Sequence, residues 1–193
     1  MFAFAFLDCE FGGLDPELHD ITEIGVVVTD YRLRELSQAE WKVRPRPERV
    51  SEEAARIFGY DEEVWAQAPG VRQVLTEFAD LMPSDCTVVP AGQNVRMDVI
   101  FLELAYKKCG IPYPFDYHVI DLATLYYAWS LVAGETVSAL SLRQSATTAG
   151  LLDKHGVAHR ALADARLTLD TFRHLIGRLA PRDPTEPVPD PSD

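Results

Sequence analysis

The chain has 193 residues, of which 47% are hydrophobic and 25% charged, so disorder over its whole length is excluded. The formal net charge of −12 argues against a protein that coats long nucleic acid, because such binding needs clustered Lys and Arg. This charge is compatible with an enzyme that binds only one end of a nucleic-acid strand. The longest apolar run near the start, residues 2–7, is far shorter than the roughly 20 residues of a membrane helix, so we expect no transmembrane segment and no membrane partner. Acidic residues directly after this run also argue against a secretory signal.

Three cysteines are present, Cys9, Cys86 and Cys109, and they cannot all pair within one chain. None has the CxxC spacing of a zinc ribbon. We expect Cys9 and Cys109 to be buried thiols of a reducing compartment, which predicts a cytoplasmic protein.

The order of predicted elements indicates an α/β fold. Three strands are predicted first, on alternating or β-branched sequence: residues 2–11, 21–29 and 40–44. Two later strands are predicted at residues 86–91 and 117–120. Helices are predicted by capping residues and helical spacing: from Ser51 onward, and over 71–82, 95–109, 122–132, 140–151 and 160–179. We therefore expect a mixed central sheet of about five strands, the first three antiparallel, flanked by helices.

The end of the chain differs in composition from the rest. Its last 13 residues hold five prolines and four acidic residues. We expect residues 1–178 to form one domain and residues 179–193 to be a disordered tail rich in proline and acid.

The first strand ends in two carboxylates on one face. Because strand side chains alternate, Asp8 and Glu10 share a face with three phenylalanines. Two neighbouring carboxylates on a half-buried face repel each other and lose hydration, so a divalent cation with oxygen ligands would suit them. The alternative is a strand that frays at this end and leaves both acids in water.

Two later segments add candidate residues. Asp98 follows a buried strand, at the end of an α/β sheet where ligands gather. Its alternative role is a carboxylate favoured by a helix N-terminus. His159 and Asp164 open the last predicted helix, where Asp164 lies among small apolar residues. A cap or surface residue is the alternative for His159.

In combination these motifs resemble the DnaQ-like family of 3′→5′ exonucleases, the histidine-bearing (DEDDh) branch of the ribonuclease H-like superfamily. The resemblance extends over residues 1–178 and rests on five segments in the family's order: residues 8–16 (DCEFGGLDP), 23–25 (EIG), 53–59 (EAARIFG), 94–98 (NVRMD) and 159–164 (HRALAD). One departure is Phe11 and Gly12, which stand where many relatives carry two threonines. This departure bears on substrate preference and removes no candidate ligand.

The resemblance implies a metal site with a histidine base. Two divalent cations, Mg²⁺ or Mn²⁺, would be held by Asp8, Glu10, Asp98 and Asp164, with Asp8 bridging both. His159 would act as general base toward the attacking water, since its reference pKa of about 6.5 lies near working pH.

A second set of residues is expected to contact the substrate: Phe11, Gly12, Gly13, Leu14 and Asn94. Apolar groups such as Phe11 and Leu14 stack well on unpaired bases. Ordinary turn and core packing is the alternative for both, and helix capping is the alternative for Asn94.

The expected activity is that of a metal-dependent 3′→5′ exonuclease. It would hydrolyse phosphodiester bonds at the 3′ end of single-stranded nucleic acid, DNA favoured, and release nucleoside 5′-monophosphates. One alternative is RNA 3′-end trimming or an oligoribonuclease-type activity. Another is a non-catalytic adaptor that binds a polymerase or nuclease, which predicts the loss of a ligand or of the base, whereas all five residues are present. A polymerase or another nucleic-acid-processing protein is a possible partner, and the oligomeric state is open.

Overall fold

The computed structural model describes residues 2–152 and 160–179. Its centre is a five-stranded sheet in the order β3-β2-β1-β4-β5. The strands are β1 (Phe2–Phe11), β2 (Ile21–Asp30), β3 (Glu35–Lys42), β4 (Thr87–Gly92) and β5 (Ile120–Asp121). Strands β1, β2 and β3 are antiparallel neighbours, whereas β4 runs parallel to β1 and β5 runs parallel to β4. The expected mixed α/β sheet is confirmed.

Helices cover both faces of this sheet. They are α1 (Glu52–Phe58), α2 (Glu62–Ala66), α3 (Val71–Asp80), α4 (Arg96–Cys109), α5 (Leu122–Ala133), α6 (Leu142–Thr148) and α7 (Ala161–Leu179), with a short 3₁₀ turn at Pro47–Arg49. Ser51 caps α1 as its sequence predicts, because its hydroxyl accepts a hydrogen bond from the amide of Ala54 at 3.2 Å.

The two faces of β1 enter different cores, as the alternation of its side chains predicts. Ala5 and Leu7 point into the larger core, where α3 and α4 contribute Phe78 and Leu102. Phe6 points to the opposite face and meets Phe172 of α7 edge to face, with ring centroids 5.4 Å apart. Asp8 and Glu10 continue the Phe6 face, so α7 is the helix that can approach them.

Two predicted strands differ from the observed ones by more than one residue at an end. The third strand was expected at 40–44 but spans Glu35–Lys42, because its register with β2 begins at the pair Thr29 and Glu35. This edge strand is mostly polar and partly exposed, so apolar runs could not reveal it. The last strand was expected at 117–120 but is only Ile120–Asp121, paired with the end of β4.

Two differences concern helices. The short helix α2 was not predicted, and it is capped by Asp61, whose carboxylate accepts from the amide of Glu63 at 2.9 Å. The helix expected over 140–151 is shorter, Leu142–Thr148, because Ser141 caps its start.

Two sequence predictions concern residues that the structure does not describe. His159 and nearly all of the expected tail at 179–193 lie outside the described residues.

All three cysteines are free; Cys9 is buried, whereas Cys86 and Cys109 are half-buried. Within residues 2–152 and 160–179, no helix has the length and apolar character needed to cross a membrane.

Candidate active site

Three carboxylates meet where β1 faces the start of α7. Asp8, Glu10 and Asp164 each offer an oxygen, and these oxygens lie within 4.8 Å of one another. All three side chains are half-buried. The strand supplies two members of this carboxylate group on one face, and the first turn of α7 supplies the third.

A glycine in β2 allows α7 to come this close. Gly25 lies directly opposite Asp8 in the β1–β2 register. A Cβ added at Gly25 would lie 2.1 Å from the backbone nitrogen of Leu162, so helix and strand backbones are in contact there. Any larger residue would separate α7 from the sheet and move Asp164 away from Asp8.

Asp98 approaches from the other side of β1. It lies in the first turn of α4, is only 5% exposed, and accepts a hydrogen bond from the backbone amide of Cys9 at 2.9 Å. Cys9 is the residue between Asp8 and Glu10. Asp98 is therefore attached to the strand that carries both acids, although it lies outside the carboxylate group defined by the 4.8 Å distances.

Burial and mutual repulsion make these acids hard to ionise when no cation is bound. The pKa of Asp8 is raised well above its usual value by burial and then by the charges of Asp98 and Asp164. Burial and the charge of Asp164 raise the pKa of Glu10 to about 7. Burial raises the pKa of Asp98 to about 8, even though the hydrogen bond from Cys9 opposes the shift. A hard divalent cation with oxygen ligands would neutralise such a set, so the residues present fit the expected metal.

A cavity of about 440 Å³ adjoins the carboxylate group and shares Glu10 with it. This volume lies in the usual range for small-ligand sites. Its apolar lining comes from Phe11 at the end of β1, from Leu14 in the turn that follows, and from Ala54 and Ile57 of α1. Leu14 is 82% exposed, whereas one face of Phe11 stacks on Phe101 with ring centroids 4.0 Å apart. The cavity can therefore accept a flat apolar group next to the carboxylates.

The predicted substrate contacts divide into two groups. Phe11, Gly13 and Leu14 line this cavity. Gly12 is buried instead, and a Cβ there would lie 2.2 Å from the carbonyl oxygen of Arg49, so Gly12 is needed for close packing of two loops. Asn94 is exposed, has a φ of 55° and is not among the residues lining the cavity.

Sequence reasoning missed several cavity residues: His19, Ser51 and Glu53. Ser51 was identified only as a helix cap, and His19 was not singled out as a candidate. Ile57 belongs to the segment 53–59 on which the resemblance rests, and its apolar side chain is 55% exposed and lines the cavity.

A mixed sheet of this order, with carboxylates at the end of its central strand, is the arrangement of the ribonuclease H-like class. A family model described as Exonuclease (RNase_T) matches residues 5–172. The chain belongs to this exonuclease family, which depends on divalent metal.

Two curated relatives are similar over most of the chain. They are the PolC-type DNA polymerase III proteins of Thermotoga petrophila, 30% identical over 179 residues, and Thermotoga maritima, 31% identical over 178 residues. In each case the match covers 90% of this chain but only 12% of the relative. The chain thus corresponds to one small part of those polymerases.

Solved structures share the fold at low identity. E. coli exonuclease I in complex with a dT13 oligonucleotide gives a TM-score of 0.76 at 18% identity, covering 93% of this chain and 42% of that one. A 3′-exonuclease with histone mRNA stem-loop gives a TM-score of 0.71 at 20% identity, covering 90% and 63%. At such identities the likeness shows the fold alone.

Proposed function

We propose that this chain removes nucleotides from the 3′ end of single-stranded DNA and releases nucleoside 5′-monophosphates, using two divalent cations, Mg²⁺ or Mn²⁺. The observation that carries the proposal is the carboxylate group of Asp8, Glu10 and Asp164, which shares Glu10 with an apolar cavity. A phosphodiester at a chain end needs both features: anionic ligands for cations at the phosphate, and an apolar surface for the terminal base.

Each acid has a distinct place in this proposal. Asp8, Glu10 and Asp164 would hold cations between β1 and α7, and Asp98 would contribute from α4. Bound there, the cations would supply Lewis acidity toward the phosphate and lower the pKa of the attacking water. His159 would accept a proton from that water, since an imidazole is a suitable base near neutral pH.

The terminal nucleotide would enter the cavity beside Glu10. Phe11, Leu14 and Ile57 would contact its base, and apolar contact of this kind is tolerant of sequence because every base presents an apolar face. This arrangement supports exonuclease action without sequence preference. It also explains how a chain with a net charge of −12 can bind a polyanion, because contact is confined to one end of the strand.

DNA is the proposed substrate because both curated relatives are DNA polymerases. A polymerase is by the same reasoning the proposed partner. The exonuclease domain would comprise residues 1–178, and we place the protein in the cytoplasm. RNA 3′-end trimming is the second candidate, favoured by the likeness to a 3′-exonuclease of histone mRNA.

The test compares matched single-stranded DNA and RNA, each labelled at the 5′ end, with Mn²⁺, with Mg²⁺ or with chelator. We expect a ladder that shortens from the 3′ end, mononucleotide products and no cleavage with chelator. Asp8→Asn serves as the inactive control, because it keeps the side-chain volume and removes the charge.

Cleavage that persists with chelator, or an equally active Asp8→Asn variant, would contradict the metal mechanism. Preference for very short RNA would replace the DNA assignment by the RNA one. His159→Ala should lower the rate by roughly 10²- to 10⁴-fold, the usual range for a general base.

A further inference from the structure

One buried carboxylate near the site is not a member of the carboxylate group. Glu23 of β2 is only 3% exposed and lies directly opposite Glu10 in the β1–β2 register. Burying an ionised side chain at this depth is costly unless it is paired and hydrogen-bonded. Its contacts therefore show what holds it there.

Both oxygens of Glu23 are engaged by neighbouring elements. Its Oε1 accepts a hydrogen bond from the backbone amide of Ala161 at 3.1 Å, and its Oε2 accepts from Nζ of Lys42 at 3.1 Å. Arg160 adds a second cation, with its Nε 3.6 Å from Oε1. Lys42 is itself placed over the ring of Trp65, 3.8 Å from its centroid. Glu23 is thus compensated on both sides and has no oxygen free of a partner.

The contact with Ala161 is informative because Ala161 is the first residue of α7. The first amides of a helix have no acceptor within the helix, and a carboxylate is favoured there by the helix dipole. Glu23 supplies this acceptor from the sheet. The start of α7 is thereby joined to the strand that lies beside β1.

Ala161 and Asp164 lie three residues apart, within one turn of the helix, so they fall on the same side of α7. A contact that fixes the amide of Ala161 on β2 therefore also fixes the direction in which the Asp164 side chain points. The close approach of Gly25 to Leu162 sets the distance between strand and helix. The bond to Glu23 sets the rotation of the helix about its axis.

We propose that Glu23 is a positioning residue for the metal site: it caps the first turn of α7 and so directs Asp164 toward Asp8 and Glu10. The inference rests on the proposed function in taking these three acids as cation ligands. Glu23 does not itself bind the cations, because its oxygens are occupied by Ala161 and Lys42.

Glu40 provides a matched control at the same helix start. Its Oε2 lies 2.8 Å from Arg160 and its Oε1 lies 3.4 Å from the amide nitrogen of Leu162, yet its side chain is 27% exposed. It thus contacts the start of α7 as Glu23 does, but its bond to a helix amide is longer, 3.4 Å against 3.1 Å, and its side chain is nearer to water. Exposed ion pairs of this kind contribute little to stability.

The experiment compares the parent protein with four variants of the full chain: Glu23→Ala, Glu23→Asp, Glu23→Gln and Glu40→Ala. Three measurements are compared: amide hydrogen exchange of the peptide that contains Ala161, Mn²⁺ affinity by electron paramagnetic resonance, and steady-state kinetics (kcat and KM) on single-stranded DNA. We expect faster exchange at Ala161 in Glu23→Ala, Mn²⁺ affinity weaker by about 10- to 100-fold and lower kcat with KM unchanged.

The other variants separate positioning from simple loss of stability. Glu23→Gln keeps an oxygen acceptor for Ala161 and should rescue Mn²⁺ affinity. Glu23→Asp keeps the charge but is one methylene shorter, so it should also weaken Mn²⁺ affinity. This variant keeps the proposal testable if Glu23→Ala fails to fold. Glu40→Ala should match the parent protein. In a background of Asp164→Asn, replacing Glu23 should have no further effect on Mn²⁺ affinity.

Two results would overturn the proposal. One is a folded Glu23→Ala or Glu23→Asp protein with unchanged Mn²⁺ affinity. The other is a replacement of Glu23 that weakens Mn²⁺ affinity equally in the parent protein and in the Asp164→Asn background. A parent protein that binds no Mn²⁺ would instead refute the proposed function. The exchange measurement would then still report whether Glu23 caps α7.

Discussion

The carboxylate of Asp98 accepts a hydrogen bond from the backbone amide of Cys9 at 2.9 Å, across 89 residues of sequence. The ladder between β1 and β4 covers only Phe2–Phe6 of β1, so Cys9 lies beyond it. Asp98 thus satisfies a backbone donor where the sheet partner has ended. This bond joins α4 to the strand segment that carries Asp8 and Glu10.

Replacing Asp98 should therefore have two separable effects, a loss of cleavage and a loss of stability. Asp98→Ala loses both the charge and the acceptor for Cys9, so we expect no cleavage and a loss of about 1–3 kcal/mol of stability from the unsatisfied amide. Asp98→Asn keeps an acceptor oxygen, so it should abolish cleavage while melting closer to the parent protein. Thermal melting and the oligonucleotide assay check both. Equal melting temperatures for the two variants would contradict the structural role of the bond.

Leu14 offers a test of the base site. It is 82% exposed and lines the cavity beside Glu10, so its removal should weaken substrate binding without unfolding the protein. Burial of a leucine side chain against a base is worth at most about 1.5–3 kcal/mol, which predicts a KM for Leu14→Ala higher by up to roughly 10- to 150-fold. Leu18 is a matched control, since it is also exposed and apolar but does not line the cavity. A Leu18→Ala variant with the larger effect would argue against the assigned base site.

Gly25 tests the packing of α7 on β2. Gly25→Ala places a methyl group 2.1 Å from the nitrogen of Leu162, so the helix must shift. We expect a loss of about 1–3 kcal/mol from overpacking, together with weaker Mn²⁺ binding as Asp164 moves. Gly177→Ala in the same helix is the control, because its added Cβ meets nothing within 4 Å. Melting curves and Mn²⁺ titration are the measurements; unchanged Mn²⁺ affinity in folded Gly25→Ala would contradict this account.

Asp20 predicts a pH dependence of stability. Burial alone would raise the pKa of Asp20, but hydrogen bonds from Arg46 and Arg49 outweigh it and lower the pKa below its usual value. The shortest of these bonds joins Nε of Arg49 to Oδ1 at 2.6 Å. An acid whose pKa is lowered on folding stabilises the protein above its unfolded pKa, and this contribution is lost as pH falls through the folded pKa.

Asp20→Asn should accordingly melt below the parent protein at neutral pH, and the difference should shrink in the acid range where Asp20 itself becomes protonated. Melting temperatures measured across this range test the prediction. A difference that stays constant with pH would show that the charge of Asp20 is not what stabilises the contact with Arg46 and Arg49.

Much of the site was predictable because it depends on local rules. The alternation of β1 places Asp8 and Glu10 on one face whatever surrounds the strand. The cap at Ser51 likewise depends only on its near neighbours. The third strand was placed wrongly because its polar residues show little of the apolar pattern that marks a strand, and its position is set by pairing with β2.

The sequence by itself determined the family and predicted which acids form the site, since both follow from motifs of a few residues in a fixed order. Only the tertiary structure decided how those acids meet. The contact between Gly25 and Leu162, the bond from Cys9 to Asp98 and the burial of Glu23 all join segments distant in the chain. Such contacts depend on how whole helices pack on the sheet, and no local periodicity or turn residue specifies that packing.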